Sequence, residues 1–303
     1  MIGNVLSRLS QRVHAASRRY SGIEAKLRRA LTVYLHEKNE STAEGFSQYE
    51  MRLPSHQNAI DAMPGWSSAF PPLAQVSAGT IPLFADSRIL KALATHGSIE
   101  GKHVLEVGPL EGMHTYILSE YGAARVDAIE ANKLCYLRCL VTKEILKLDR
   151  ASFHLGDIQL WLRDTDTRYD FGLASGVLYH MPDPGEFLHL LSLRVKSVFI
   201  WTHYYDEAAM PKSDVRHNPF TGIVESRSVA GMTVHYHERG YQHANTDASF
   251  CGGMKDRHYW LRKQEIISLL QHLGYDDVVI LDDDPSHSGG PCFSILARQS
   301  AAQ

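Results

Sequence analysis

Apolar and polar positions along the chain follow two different periods. From Lys102 onward, short apolar runs typical of buried strands alternate with segments in which apolar residues recur at helical spacing. The apolar runs predict strands at 103–108, 125–131, 152–157, 169–177 and 197–203. The periodic segments predict helices at 113–121, 134–148, 185–195 and 263–273. Two last strands, at 277–281 and 292–298, predict a terminal hairpin. Strands that alternate with helices predict an α/β fold with a parallel sheet covered on both faces.

Two regions depart from this alternation. Residues 1–98 predict a helical and irregular N-terminal extension, with basic amphipathic helices over 1–38 and a short helix that begins at the N-cap Asp86. The remaining residues, 99–303, predict a ligand-binding α/β domain. Within it the alternation stops from Asp206 to Tyr259, and we interpret this insert as a lid over a substrate pocket.

The first strand leads into a glycine-containing turn, Val104-Leu-Glu-Val-Gly-Pro-Leu-Glu-Gly-Met-His-Thr115. Glu106 lies at the end of the strand, and Gly108 and Gly112 frame the turn. Glycines let a backbone approach a ligand closely, and the N-terminus of the next helix offers free N–H groups. The spacing differs from the Gly-x-Gly-x-x-Gly of dinucleotide enzymes, and no Walker-type Lys-Ser/Thr follows.

Acidic residues also follow the next two strands. Glu130, in Ala128-Ile-Glu-Ala-Asn132, lies where a carboxylate can accept both hydroxyls of a ribose. Asp157, in Leu155-Gly-Asp-Ile158, lies where an acid can bind an adenine amino group. Helix capping by such acids is the alternative interpretation, but three acids at the ends of three successive strands favour a nucleoside site.

These motifs resemble those of class I S-adenosylmethionine (SAM)-dependent methyltransferases, across roughly residues 100–300. The resemblance implies a Rossmann-like, seven-stranded sheet with a terminal antiparallel hairpin, and SAM as cofactor. It implies that the turn contacts the methionine moiety, that the residues around Glu130 hold the ribose, and that Asp157 and Ile158 hold the adenine. The cofactor-binding residues implied in this way are Glu106, Gly108, Pro109, Gly112, Thr115, Glu130, Ala131, Asn132, Asp157, Ile158 and Ser175.

A narrower resemblance is carried by Leu173-Ala-Ser-Gly-Val-Leu-Tyr-His-Met-Pro-Asp-Pro184, which follows the fourth strand. This segment is similar to the corresponding loop of the tRNA wobble-uridine-modifying enzymes and their relatives, where it faces the sulfonium and the acceptor. Ala62-Met-Pro-Gly-Trp-Ser-Ser68 is a weaker echo of the same group. By analogy Trp66 covers the methionine end of SAM, and core packing is an equal alternative.

Aromatic and histidine side chains cluster where the fourth and fifth strands end. The candidates for the reactive centre are Tyr179, His180, His203 and Tyr204. Electron-rich rings favour a sulfonium cation through cation–π contact, and a histidine can take a proton from an acceptor. His180 or His203 is therefore the candidate base, although either ring could instead orient backbone or adenine.

Composition narrows the class of protein. The formal net charge of −3 argues against non-specific nucleic-acid binding, so nucleic acid is a disfavoured partner. No apolar run reaches the length of about 20 residues that a membrane span needs. The four cysteines form no disulfide framework, which favours a reducing cytoplasm. The chain has 17 histidines, but no spacing matches a zinc template, and we assign no metal site.

Three functions remain open at this stage. The first is methyl transfer from SAM to the O or N atom of a small-molecule acceptor. The second is intramolecular cyclisation of SAM, similar to azetidine-2-carboxylate synthesis, with release of methylthioadenosine. The third is tRNA modification, for which the basic N-terminal helices could supply phosphate contacts. The sequence does not identify the acceptor or the oligomeric state.

Overall fold

The computed structural model describes residues 48–242 and 251–300. The described residues from Ser55 onward form one compact unit. The basic helices predicted over residues 1–38 lie outside the described residues. Residues 55–98 pack against the α/β domain, since Ile60 and Phe84 share an apolar cluster with Met113.

Ten strands among the described residues form two sheets. They are β1 (His103–Val107), β2 (Arg125–Glu130), β3 (Ala151–Leu155), β4 (Phe171–Ser175), β5 (Ser197–His203), β6 (Phe220–Val229), β7 (Met232–Arg239), β8 (His258–Trp260), β9 (Asp277–Asp284) and β10 (Cys292–Arg298). The larger sheet has the order β3-β2-β1-β4-β5-β10-β9. Strands β1 to β5 are parallel, and β10 is antiparallel to both β5 and β9. The predicted sheet with its terminal hairpin is confirmed.

The α-helices of the described residues are α1 (His56–Asp61), α2 (Ser87–His96), α3 (Met113–Glu120), α4 (Lys133–Leu146), α5 (Ile158–Asp164), α6 (Pro184–Arg194) and α7 (Lys263–His272). Helices α3 to α6 connect the successive parallel strands β1 to β5. Helix α2 begins after Asp86, whose carboxylate accepts from the Arg88 N–H as predicted for an N-cap. Among the described residues, no helix has the length and apolar character of a membrane span.

Helices cover both faces of the larger sheet, which explains the continuous apolar runs in the sequence. Successive side chains of a strand point to opposite faces. Accordingly Val104 belongs to the cluster that includes Leu93 of α2 and Leu118 of α3, whereas Leu105 belongs to the cluster that includes Leu188 of α6. Both core layers meet the sheet at β1, so the turn after β1 is held from two sides.

The insert contains a small antiparallel sheet, β6-β7-β8. The turn between β6 and β7 has positive φ at Ala230 (49°) and Gly231 (90°), as a two-residue hairpin requires. Tyr236 of β7 is fully buried, and its hydroxyl donates to Asp183 at 2.8 Å. The sheet therefore packs on the loop that leads into α6, although the sequence predicted no strands in this region.

Candidate functional site

A cavity of about 440 Å³ opens at the carboxyl ends of the parallel strands. Loops after β1, β2, β3 and β4 form its walls, as expected for a ligand site in an open α/β sheet. Sequence-predicted residues that line it are Gly108, Glu130, Ala131, Asn132, Ile158, Ser175, Tyr179 and His180. The structure thus brings the residues after β1 and β2 together with those after β3 and β4.

The turn after β1 forms one wall of the cavity. Gly108 has φ +66°, and a Cβ at this position would lie 3.0 Å from Cγ2 of Val177 on the opposite wall. Leu110, which also lines the cavity, has φ +57° although it is not a glycine. A left-handed backbone at a side-chain-bearing residue is uncommon and concentrates at ligand sites. Pro109 and Gly112 complete the turn without lining the cavity.

Glu130 links two walls of the cavity through its carboxylate. Oε2 accepts from the Leu110 N–H at 3.1 Å, and Oε1 accepts from the Asn132 N–H at 2.8 Å. Asn132 caps α4 by accepting from the Leu134 N–H at 2.9 Å. Burial raises the pKa of Glu130, and the backbone N–H donors oppose that shift. The carboxylate is therefore fixed in orientation at the cavity surface.

Glu106 and Thr115 lie behind this wall and do not line the cavity. Both are buried, and the Thr115 hydroxyl donates to the Glu106 carboxyl group. Burial, with a smaller contribution from the nearby Glu130 charge, raises the pKa of Glu106 to about 8. Among the described residues, Oε1 of Glu106 has no hydrogen-bond partner. Glu106 is therefore largely protonated at neutral pH.

Asp157 has the capping role that the sequence left as its alternative. The carboxylate accepts from the Gln159 N–H at 2.7 Å and caps α5, a helix the sequence analysis did not predict. Its neighbours Gly156 and Ile158 line the main cavity, whereas Asp157 lines a shallower depression beside it. A free N–H at the start of α5 accounts for this placement.

Rings from the ends of β4 and β5 form the opposite wall. Tyr179 and Trp201 line the cavity with ring centroids 6.0 Å apart in an edge-to-face arrangement. His203 lies behind Tyr179, 4.6 Å from it, and stacks on Trp260 at 5.0 Å. Burial raises the pKa of Tyr179 above its ordinary value, so its hydroxyl stays protonated through neutral pH. This wall is aromatic, and its tyrosine is neutral.

The two candidate bases are neutral and weakly basic. Burial lowers the pKa of His180 to about 3 and that of His203 to about 4. The Gly253 N–H donates to the Tyr241 hydroxyl at 2.6 Å, and that hydroxyl lies 2.5 Å from Nδ1 of His180. The Tyr241 hydroxyl therefore holds the ring of His180 in place. Nδ1 of His203 lies 2.9 Å from the Gly290 carbonyl and donates to it.

Two predicted site residues lie away from the cavity. Trp66 packs in the cluster with Ile60, to whose carbonyl its Nε1 donates at 2.9 Å. Tyr204 is buried, packs against Phe293, and donates its hydroxyl to Asp283 at 3.0 Å. Tyr204 follows His203 directly, so the alternation of side chains along an extended chain turns it to the other face.

An Arg–Asp–His network at the cavity was missed by the sequence analysis. Nη2 of Arg88 lies 2.6 Å from Oδ2 of Asp86, and Nε2 of His114 lies 3.1 Å from the same oxygen. Arg88 and His114 line the cavity, and the guanidinium lies 4.6 Å from the centroid of Trp201. Although burial opposes it, hydrogen bonds from His114 and Arg88 hold the pKa of Asp86 well below its usual value. No sequence motif indicates that Arg88 lies at the cavity, because it reaches the cavity only through the packing of α2.

The insert also contributes to the cavity. Residues 251–254 line it opposite the turn after β1, next to Cys135 of α4. The sequence analysis named no residue of this segment, because nothing in its composition indicates which part of a long insert folds back over the sheet.

Comparison with solved structures was made on this fold. The chain is similar to the N-terminal domain of EvdMO1 crystallised with S-adenosylhomocysteine (SAH) bound, with a TM-score of 0.59 and 18% identity over 82% of this chain and 100% of that chain. The same domain crystallised in the presence of SAH and D-fucose gives a TM-score of 0.58 at 18% identity, with the same coverage. The structure of EvdMO1 gives 0.52 at 17% identity, over 80% of this chain and 46% of that chain.

Comparisons at the level of sequence found no match. No family model matches the chain, and no curated protein matches it. The comparisons do not support the narrower resemblance to the tRNA wobble-uridine enzymes. The strand order and the structural likeness agree, however, and the chain has the Rossmann-like fold of class I SAM-dependent methyltransferases.

Proposed function

We propose that this protein binds SAM and transfers its methyl group to the O or N atom of a small-molecule acceptor. The observation that carries the proposal is Glu130, a buried carboxylate fixed by two backbone N–H groups at the wall of a cavity of about 440 Å³. A cavity of this size lies within the range of small-molecule sites, about 300–1,000 Å³. The fold likeness to a domain crystallised with SAH supports the same cofactor.

The cavity walls offer a partner for each part of the cofactor. Glu130 suits the ribose hydroxyls, and the apolar surface of Ile129 and Ile158 suits the adenine ring. The backbone of Gly108 and Leu110 suits the methionine moiety. Arg88, whose Nε and Nη2 already donate to Asp86, keeps the N–H groups of Nη1 for the α-carboxylate. The ring faces of the aromatic wall favour a sulfonium cation by roughly 0.5–2 kcal/mol through cation–π contact.

The transfer itself needs mainly positioning. The acceptor atom attacks the methyl carbon, the carbon–sulfur bond breaks, its electron pair stays on sulfur, and the acceptor loses a proton. With pKa values of about 3 and 4, His180 and His203 are poor matches for a base that acts at neutral pH. We infer that they orient neighbouring groups, and that the acceptor is already a good nucleophile or releases its proton to solvent.

The SAM cyclase is the second candidate, and the aromatic wall of the cavity, formed by Tyr179 and Trp201, favours it. In that reaction the α-amine of the cofactor attacks its own γ-carbon, the carbon–sulfur bond breaks, methylthioadenosine leaves with the electron pair, and the amine loses a proton. A buried tyrosine with a guanidinium nearby suits an amine in its neutral form, because burial and a like charge both disfavour the ammonium.

One incubation separates these reactions. The purified chain is incubated with SAM alone, and then with SAM and mixed small alcohols, phenols and amines, with products identified by mass spectrometry. Acceptor-dependent SAH together with a product 14 mass units heavier supports methyl transfer, whereas methylthioadenosine from SAM alone supports cyclisation. Glu130→Gln should lose either activity, and the exposed Glu100→Gln should keep it. Binding of SAH with neither product would leave the chain a binding protein and refute both reactions.

A further inference from the structure

Three metal-ligating side chains converge beside the aromatic wall. His203 ends β5, His287 lies in the loop between β9 and β10, and Cys292 begins β10. One ligand atom from each lies within 4.8 Å of those of the other two. His203 and Cys292 are directly opposite in the antiparallel β5–β10 pairing, so their side chains share a face of the sheet.

Backbone contacts orient both imidazole rings. Nδ1 of His203 donates to the Gly290 carbonyl at 2.9 Å, which leaves the lone pair on Nε2. A histidine that ligates a metal commonly has its other ring nitrogen held in this way by a carbonyl. His287 is held by the Gly289 N–H, which donates to Nδ1 at 3.0 Å, and by its own carbonyl, which accepts from Arg216 at 3.1 Å.

Gly289 keeps the space between the two rings open. A Cβ at this position would lie 3.4 Å from Nε2 of His203 and 3.4 Å from Nδ1 of His287. Any larger residue would fill the space that a shared ion needs.

We propose that His203, His287 and Cys292 form a binding site for a transition-metal ion of the zinc class. Two imidazole nitrogens and one thiolate are ligands that zinc prefers, and three protein ligands are typical of sites with a remaining position for water or another ligand. Zinc bonds of about 2.0–2.3 Å put tetrahedral ligands roughly 3.3–3.7 Å apart. The ligand atoms therefore close by about 1 Å on binding, for which the half-buried His287 on its loop provides the freedom.

The charge balance of binding is explicit. The Cys292 thiol loses its proton to solvent as the sulfur–metal bond forms, so binding releases a proton and the affinity depends on pH. A metal that takes His287 through Nδ1 displaces the Gly289 N–H, whereas one that takes Nε2 requires the ring proton to move to Nδ1, which also breaks the contact with Gly289. Besides His287, the charged groups that act on Cys292 are Arg88, already paired with Asp86, and Asp282, Asp283 and Asp284.

The site fastens the β9–β10 loop to the end of β5, directly behind Tyr179. His203 lies 4.6 Å from Tyr179 and 5.2 Å from Trp201 between ring centroids. Binding to the folded chain alone stabilises it by about 2.7 kcal/mol at 100 times the dissociation constant. Metal is therefore expected to raise the melting temperature whether or not SAM is present, which separates this inference from the proposed function.

The test is a titration of the metal-free full chain with Co²⁺ alone, followed by competition with Zn²⁺. The expected result is one bound ion per chain, visible d–d absorption of a four-coordinate site, and a near-ultraviolet charge-transfer band from the thiolate. Cys292→Ser should lose that band. His287→Ala, on the loop, should keep the circular dichroism spectrum of the parent chain and bind Co²⁺ more than about 100-fold more weakly. That loss is larger than the one expected for removing a residue that contacts only a metal ligand.

Matched variants guard against binding elsewhere. Gly289→Ala crowds both rings without removing a ligand and should also weaken binding. Cys251→Ser and His272→Ala, whose side chains are exposed, should leave the spectrum unchanged. The proposal is overturned by the absence of saturable binding or by a cobalt spectrum without the charge-transfer band. It is also overturned if Cys292→Ser and His287→Ala bind the metal as tightly as the parent chain does.

Discussion

Replacing Glu130 by Gln removes the charge from the cavity wall and keeps the shape of the side chain. The parent carboxylate accepts from the Leu110 and Asn132 N–H groups at 3.1 and 2.8 Å. An amide retains one acceptor oxygen, so one of these buried donors loses its partner, at a cost of about 1–3 kcal/mol in the free energy of unfolding. Truncation to Ala would strand both donors and confuse stability with binding.

The loss for the cofactor is worked from the same contacts. A hydrogen bond to a charged group contributes about 1.5–3 kcal/mol, so the dissociation constant for SAH should rise by roughly 10- to 150-fold. Calorimetric titration measures this directly, with Glu100→Gln as the exposed control and circular dichroism to confirm folding. An unchanged dissociation constant in folded Glu130→Gln would remove Glu130 from the site and with it the main support for the proposed function.

Four further changes probe the remaining walls. Arg88→Gln should weaken SAH binding about tenfold or more and leave methylthioadenosine binding, which lacks the carboxylate, nearly unchanged; equal loss for both ligands would exclude a carboxylate contact. Asp157→Asn keeps the helix cap, so it tests only the adenine contact. A two- to tenfold loss of SAH affinity, on the order of one neutral hydrogen bond, would indicate that contact. An unchanged affinity would assign Asp157 to capping alone. Tyr179→Phe should keep most activity and Tyr179→Ala should lose it, since the ring face and not the protonated hydroxyl faces the cation; an active Ala variant contradicts this. The free energy of unfolding should fall as pH decreases from about 6.5 to 4. The reason is that His180 and His203 take up protons at the ordinary pKa of 6.5 in the unfolded chain but stay neutral in the folded chain. The double variant His180→Gln/His203→Gln should lose part of this pH dependence.

The parallel core was predictable because burial on both faces makes its strands continuous apolar runs. All of Val104–Val107 is buried, as expected for a strand covered on both faces. Helix α5 was missed because seven residues are too few to establish a helical period. The insert strands were missed because most positions of β6 are exposed and give no apolar alternation.

The candidate site likewise contains residues that could be predicted from the sequence and residues that could not. Residues fixed by the backbone of the fold, such as Gly108 and Glu130, were predictable because a strand end places them. Arg88 was not predictable because it reaches the cavity through the packing of α2. Asp157 shows the limit of a spacing argument: a strand-terminal acid before a helix fits both a ligand contact and an N-cap, and the structure gives it the cap.

Titration of the full chain with SAH tests the central claim most directly, since it needs no acceptor and no turnover. The account predicts saturable binding of one SAH per chain, much weaker binding of adenosine monophosphate, and loss of affinity in Glu130→Gln but not in Glu100→Gln. Absence of saturable binding by the folded chain, or binding that is identical in the two variants, would contradict the assignment of this cavity to SAM.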